Sequence, residues 1–135
     1  MVWDKCVSLE TAKMLKEAGF NLECMSYYQH GIFYQYSVDR DRIVLCDCNA
    51  APAYMDQYSA PTLATAQRWL QQVHHIEVYG CKNFFPNEKE TANTYGAFIG
   101  NVGVECIALY PDYDSALEAG IQYALNIIIK GLPFA

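Results

Sequence analysis

The chain has little charge, and least of all positive charge. Only 18% of its 135 residues are charged, and nine Lys and Arg against fifteen Asp and Glu leave a formal net charge of −6. A sequence so short of cations is a poor default ligand for nucleic acid or anionic lipid. It also has no stretch near the roughly 18 apolar residues that a membrane helix needs, so no membrane association is expected. The opening residues Met1-Val2-Trp3-Asp4-Lys5-Cys6 lack the apolar run of a secretory signal, which makes the cytoplasm the expected location. Low-complexity stretches and Gly/Pro-rich linkers are absent too. With 53% hydrophobic residues the composition excludes intrinsic disorder, and the length suits one domain over residues 1–135.

Catalytic signatures are missing as well. There is no G-x-S-x-G, no P-loop, no G-x-G-x-x-G and no H-E-x-x-H. Gly96, Gly100 and Gly103 are spaced like hairpin glycines rather than a phosphate cradle. The six cysteines are Cys6, Cys24, Cys46, Cys48, Cys81 and Cys106. In a reducing cytosol they read as free thiols that pack as small hydrophobes. Cys46-Asp47-Cys48 is the one close pair, and it has no second chelating arm of the kind a structural zinc site requires. His74 and His75 are adjacent and form no such arm. Asp39, Asp41 and Asp47 have no calcium-loop spacing and read as solvated turn carboxylates. No metal, no cofactor and no catalytic residue is assigned, and a non-catalytic protein is expected.

What the chain does have is periodic structure. Ser8 caps a helix over residues 9–18 that stops at Gly19. Strands are predicted near 32–38 and 42–47, paired as a hairpin through Asp39-Arg40-Asp41, with His30-Gly31 at the start of the first. Residues 49–59 read as a connecting loop with a turn of helix. Thr62 opens a second helix with the apolar stripe Leu63, Ala66, Leu70 and Val73, ending near His74-His75. Ile76 to Tyr79 alternates as a strand closed by Gly80. Residues 94–99 and 102–109 are predicted to pair across Gly100-Asn101. Asp112 or Asp114 caps the last helix, which shows Leu117, Ile121, Ala124, Leu125 and Ile128 on one face and ends at Gly131. The element order α-β-β-α-β-β-β-α predicts an α+β fold with antiparallel sheets and helices.

Three stretches carry a resemblance. They run from Cys6-Val7-Ser8-Leu9 to Gly19-Phe20, from Ala60-Pro61-Thr62-Leu63 to Arg68-Trp69-Leu70, and from Tyr113-Asp114-Ser115 to Gly120. Together they resemble small uncharacterised phage or mobile-element proteins of Bacteroidetes. That resemblance implies a bacterial or prophage protein and brings no functional residues with it. Separately, residues 62–130 are similar in element order to a double-stranded RNA-binding domain. Such domains read A-form RNA with a basic cluster at the start of the last helix. Here that place holds Asp112, Asp114 and Glu118, so RNA binding is not expected.

Eleven tyrosines are the most unusual feature. Tyr27, Tyr28, Tyr34, Tyr36, Tyr54 and Tyr58 crowd the first half, where a large rigid body with a polar tip suits an interface. The expected function is a non-catalytic interaction protein, working as a homodimer or with a protein partner through these six tyrosines. The alternative is a small ligand-binding domain or enzyme with a pocket lined by tyrosine and cysteine.

Overall fold

The computed structural model describes residues 5–35, 38–39, 42–43, 45–82, 94–100 and 109–131. The fold is mixed α+β with antiparallel sheets, as the sequence predicts. Contacts within the chain gather into two compact units, Met1–Ala64 and Thr65–Ala135.

In the first unit, α1 spans Leu9–Glu17. The Ser8 side chain accepts from the Thr11 N–H at 3.3 Å. At the other end Gly19 turns left-handed at φ 94°. The N–H groups of Gly19 and Phe20 then donate back to the carbonyls of Lys16 and Leu15. This is a Schellman stop, and its apolar partners Leu15 and Phe20 are both buried. The segment before α1 pairs with the end of the unit: Val7 N–H donates to Pro61 O and Leu63 N–H to Lys5 O, both at 2.9 Å.

Strand β1, Ser26–Gln29, and strand β2, Ile32–Gln35, form a hairpin closed by His30-Gly31. The predicted partner of the 32–38 strand was residues 42–47. Instead β2 pairs with the segment before it, and His30-Gly31 is the turn itself. Both turn residues have positive φ, 51° and 80°, which is what a type I′ turn requires and what His tolerates better than most side chains. Strands β3, Val38–Asp39, and β4, Arg42–Ile43, make a separate two-stranded ladder. This ladder keeps the turn end of the predicted hairpin, Val38 against Ile43; of the expected charged turn, Asp39 lies in β3, and Arg40 and Asp41 fall outside the described residues. Two short 3-10 turns, Cys48–Ala50 and Ala53–Met55, lie in the predicted loop. The loop then ends in a strand that was not foreseen, β5, Gln57–Ser59, which pairs with the other side of β1. The sheet order is β2-β1-β5.

In the second unit α2, Leu63–His74, is followed by β6, Val78–Lys82, β7, Tyr95–Ile99, β8, Leu109–Tyr110, and α3, Tyr113–Lys130. Strand β6 runs through Gly80 rather than ending there. Tyr95 pairs with Tyr110, and Gly96 with Leu109. A two-residue turn at Gly100-Asn101 would have set Tyr95 against Cys106. The Gly-Asn dipeptide permits such a turn without requiring one, and residues 101–108 lie outside those described. Asp112 is the cap of α3, accepting from Ser115 N–H at 2.7 Å.

Close approach explains two glycines in this unit. A Cβ at Gly120, in the middle of α3, would lie 2.7 Å from Val78 Cγ1 and 3.0 Å from Ala97 Cβ; one at Gly80 would meet the Tyr113 ring at 2.7 Å. The helix thus rests on the sheet through backbone, over the buried residues Val78, Ala97 and Ile99. Gly120→Ala should gain helix propensity of about 1 kcal/mol and still destabilise the protein, because overpacking costs about 1–3 kcal/mol. Urea unfolding checks this. The added change Val78→Ala should recover part of the loss.

Candidate functional site

The register of the first sheet sorts the tyrosines. Tyr28 lies opposite Phe33 on one side and Tyr58 on the other, so these three share a face. That face carries α1 and the segment before it. Tyr28 Oη donates to Val7 O at 2.9 Å. Lys13 Nζ and Lys16 Nζ stand 5.7 and 5.0 Å from the centroid of the Tyr58 ring. Tyr28 and Phe33 meet edge to face at 5.3 Å. Tyr28 and Tyr58 therefore serve the packing of the unit.

The opposite face carries Tyr27, Gln29, Ile32 and Tyr34. Tyr27 and Tyr34 stack at 5.4 Å between centroids, a geometry worth about 0.5–1.5 kcal/mol beyond burial. All four residues of β2 are exposed, with Ile32 at 57%, Phe33 at 44% and Tyr34 at 42%. Tyr54 stands apart in the second 3-10 turn, 80% exposed. Tyr36 lies outside the described residues. Of the six predicted tyrosines the structure thus brings half-buried Tyr27 and exposed Tyr34 together on one face. Ile32 joins them there, while Phe33 is exposed on the opposite face of the same strand, and a search for tyrosine alone passes over both.

The two edges of this sheet differ. Ala60 N–H donates to Ser26 O and His30 N–H to Asp56 O. The backbones of Ser26, Tyr28 and His30 therefore point toward β5, and those of Tyr27 and Gln29 toward β2. By the same alternation Gln57 and Ser59 turn their backbone groups away from the sheet on the β5 side. One group of each is taken: Lys16 Nζ donates to Gln57 O at 3.1 Å, and Asn49 Oδ1 accepts from Ser59 N–H at 2.9 Å. Asn49 also donates through Nδ2 to Phe20 O at 2.9 Å, tying this edge to the end of α1. On the β2 side the outward groups are those of Phe33 and Gln35, and among the described residues no strand lies beyond them.

At the hairpin tip, His30 Nδ1 lies 3.6 Å from Asp56 Oδ2. Asp56 is itself left-handed at φ 50°. A hydrogen bond to Asp56 raises the Tyr58 phenol above its ordinary value, with lesser help from desolvation and from the Asp56 charge. Asp56→Asn should bring the Tyr58 ionisation back down, which an alkaline absorbance titration compared with Tyr58→Phe will read.

Among the described residues no group of three or more His, Cys, Asp or Glu is placed to hold a metal ion. Cys6, Cys24, Cys46, Cys48 and Cys81 form no disulfide with one another, and Cys106 lies outside the described residues. Cys24 and Cys46 face each other across an antiparallel bridge, exchanging N–H···O bonds of 3.0 and 3.1 Å. Burial, reinforced by Cys48, Cys6 and Asp47, pushes the Cys24 thiol from its ordinary 9.0 up to about 12. Such a thiol is a poor nucleophile at neutral pH. A raised folded pKa means that the fold retains a proton the unfolded chain releases. The resulting stability is complete below pH 9.0 and is lost as pH rises toward about 12. Urea unfolding across that window should show the fall, and Cys24→Ala should flatten it.

In the second unit the sheet face away from α3 carries Tyr79 opposite Phe98. The first turn of α3 carries Asp114, just after the capping Asp112 and one turn before Glu118. Phosphate binding would need cations there. No described helix is long and apolar enough to cross a membrane. No family model matches this chain. Neither the curated proteins nor the solved structures contain a significant match.

Proposed function

We propose that this chain is a non-catalytic interaction protein, of the small phage-type class its helix motifs resemble, acting through self-association or a protein partner. The observation that carries the reading is the β1–β2 hairpin. It presents Ile32, Phe33, Tyr34 and the stacked Tyr27 ring, with no formal charge between Ser26 and Gln29 or between Ile32 and Gln35. An exposed apolar strand at a sheet edge is the kind of surface that natural folds cover, charge or interrupt. Here its side chains are large and rigid, as interface cores prefer. Nucleic acid fits poorly, because α3 opens on carboxylates and the whole chain is acidic.

A native mass spectrum of the purified protein, set beside its denatured mass, tests the reading. The expected result is a homodimer or a complex with a second polypeptide, reduced to monomer by the pair Ile32→Ser and Tyr34→Ser while the circular dichroism is retained. A monomer that carries the mass of a metal or an organic ligand would overturn it. That result would favour the ligand-binding alternative, with Cys46, Cys48 and the histidines as the first residues to vary.

A further inference from the structure

We propose that two copies of this chain join by antiparallel pairing of β2 with the β2 of a second copy, with Phe33 on the two-fold axis, to make one six-stranded sheet. The inference rests on the interaction reading above and commits it to one occupant and one geometry.

The argument begins with the difference between the edges. On β5 the outward carbonyl of Gln57 and the outward N–H of Ser59 are occupied by Lys16 and Asn49. Lys16 and Asn49 thus stand where another strand would pair on that edge. On β2 the two-residue turn makes Gln29 and Ile32 a hydrogen-bonded pair, so Phe33 and Gln35 present N–H and C=O to the outside. Among the described residues the sheet therefore has one edge obstructed by side chains and one open edge. A protein with a single open edge forms a closed pair when that edge meets itself, whereas two open edges would allow a fibre.

The side chains suit self-pairing. With Phe33 on the axis, its outward backbone groups meet those of Phe33 in the second copy, which is the hydrogen-bonded arrangement. Ile32 then lies opposite Tyr34 of the second copy on one face, and the two Phe33 rings are opposite each other on the other. Aromatic–aromatic and aromatic–β-branched neighbours are the favourable cross-strand pairs. The strand carries no formal charge, so no like charges are brought face to face. Pairing gives new neighbours to Ile32, Phe33 and Tyr34, the three exposed apolar residues of β2. Because each copy has a net charge of −6, long-range repulsion opposes the dimer, and added salt should strengthen it.

Sedimentation velocity over a wide concentration range, at low and high salt, is the experiment. The expected result is a monomer–dimer equilibrium that stops at the dimer and shifts toward it with salt. Phe33→Lys places two ammonium groups opposite each other and should weaken the dimer by roughly tenfold or more. Val73→Ser, at an exposed apolar position on α2, should leave it unchanged. Amide exchange of the unmodified protein reads the same geometry without a variant. The Phe33 and Gln35 amides should slow by about tenfold or more as the dimer fills, while Ile32 and Tyr34, already bonded to β1, change little. A dimer that survives Phe33→Lys, or whose Phe33 and Gln35 amides exchange as in the monomer, overturns this pairing and leaves the wider interaction reading standing. A monomer at every concentration overturns the pairing as well, and the wider reading then requires a different protein as partner.

Discussion

The β1–β2 hairpin depends on two left-handed residues, His30 and Gly31, and their backbone geometry governs the rest of the first unit. A two-residue turn with positive φ at both positions permits one register, Gln29 against Ile32. His30 is braced in that conformation by Asp56, through its N–H at 3.2 Å and its ring at 3.6 Å. From this register follow the stacking of Tyr27 on Tyr34, the edge-to-face contact of Tyr28 with Phe33, and the alternation of backbone groups across the sheet. A shift of one residue would exchange the two faces and turn the outward groups of β2 inward.

The same alternation makes the side chains around β5 matter. Lys16 comes from a helix far from β5 in sequence and Asn49 from a 3-10 turn in the loop before it, and each takes one outward backbone group of that strand. Asn49 further links the strand to the carbonyl of Phe20, at the helix stop. The cost of leaving strand backbone unpaired is thus met on one edge by side chains of the same chain. On the other edge, among the described residues, no strand lies beyond β2. The second unit solves a different packing problem. There the absence of side chains at Gly80 and Gly120 lets Tyr113 and the backbone of α3 sit directly on β6 and β7.

The chemical groups that could suggest catalysis are placed differently. Cys24 and Cys48 are buried in the core, and burial keeps the Cys24 thiol protonated far above neutral pH. The His30–Asp56 pair is solvent-exposed and serves a turn. His74 lies edge-on to Trp69 at 4.8 Å, near the end of α2. These groups support the fold, and β2 is the exposed apolar strand of the first unit.

The helices were legible in the sequence because their signals are local. Ser8, Gly19, Asp112 and Gly131 mark ends that hydrogen-bond within a few residues, and the apolar stripes of α2 and α3 follow a single period. Strand content was legible in part, from runs of Tyr, Phe, Ile and Val, but β1 and β5 were not foreseen. Strand pairing was not. Residues 32–35 have equal propensity to pair forward or backward, and β5 is three residues long after a loop of Pro and Ala. The tyrosine-rich half was visible as composition, but composition could not separate Tyr28 and Tyr58, which hold α1, from Tyr27 and Tyr34, which face outward. Nor could it show that Ile32 belongs with the latter and Phe33 with the former. The sequence by itself determined the three helices, part of the strand content, and that the chain is acidic and rich in aromatics. Only the tertiary structure decided which strand lies at the edge and which edge side chains obstruct. The reason is that an edge is defined by its neighbours, and Lys16 reaches β5 from a helix 41 residues away while Asn49 folds back from the loop before it.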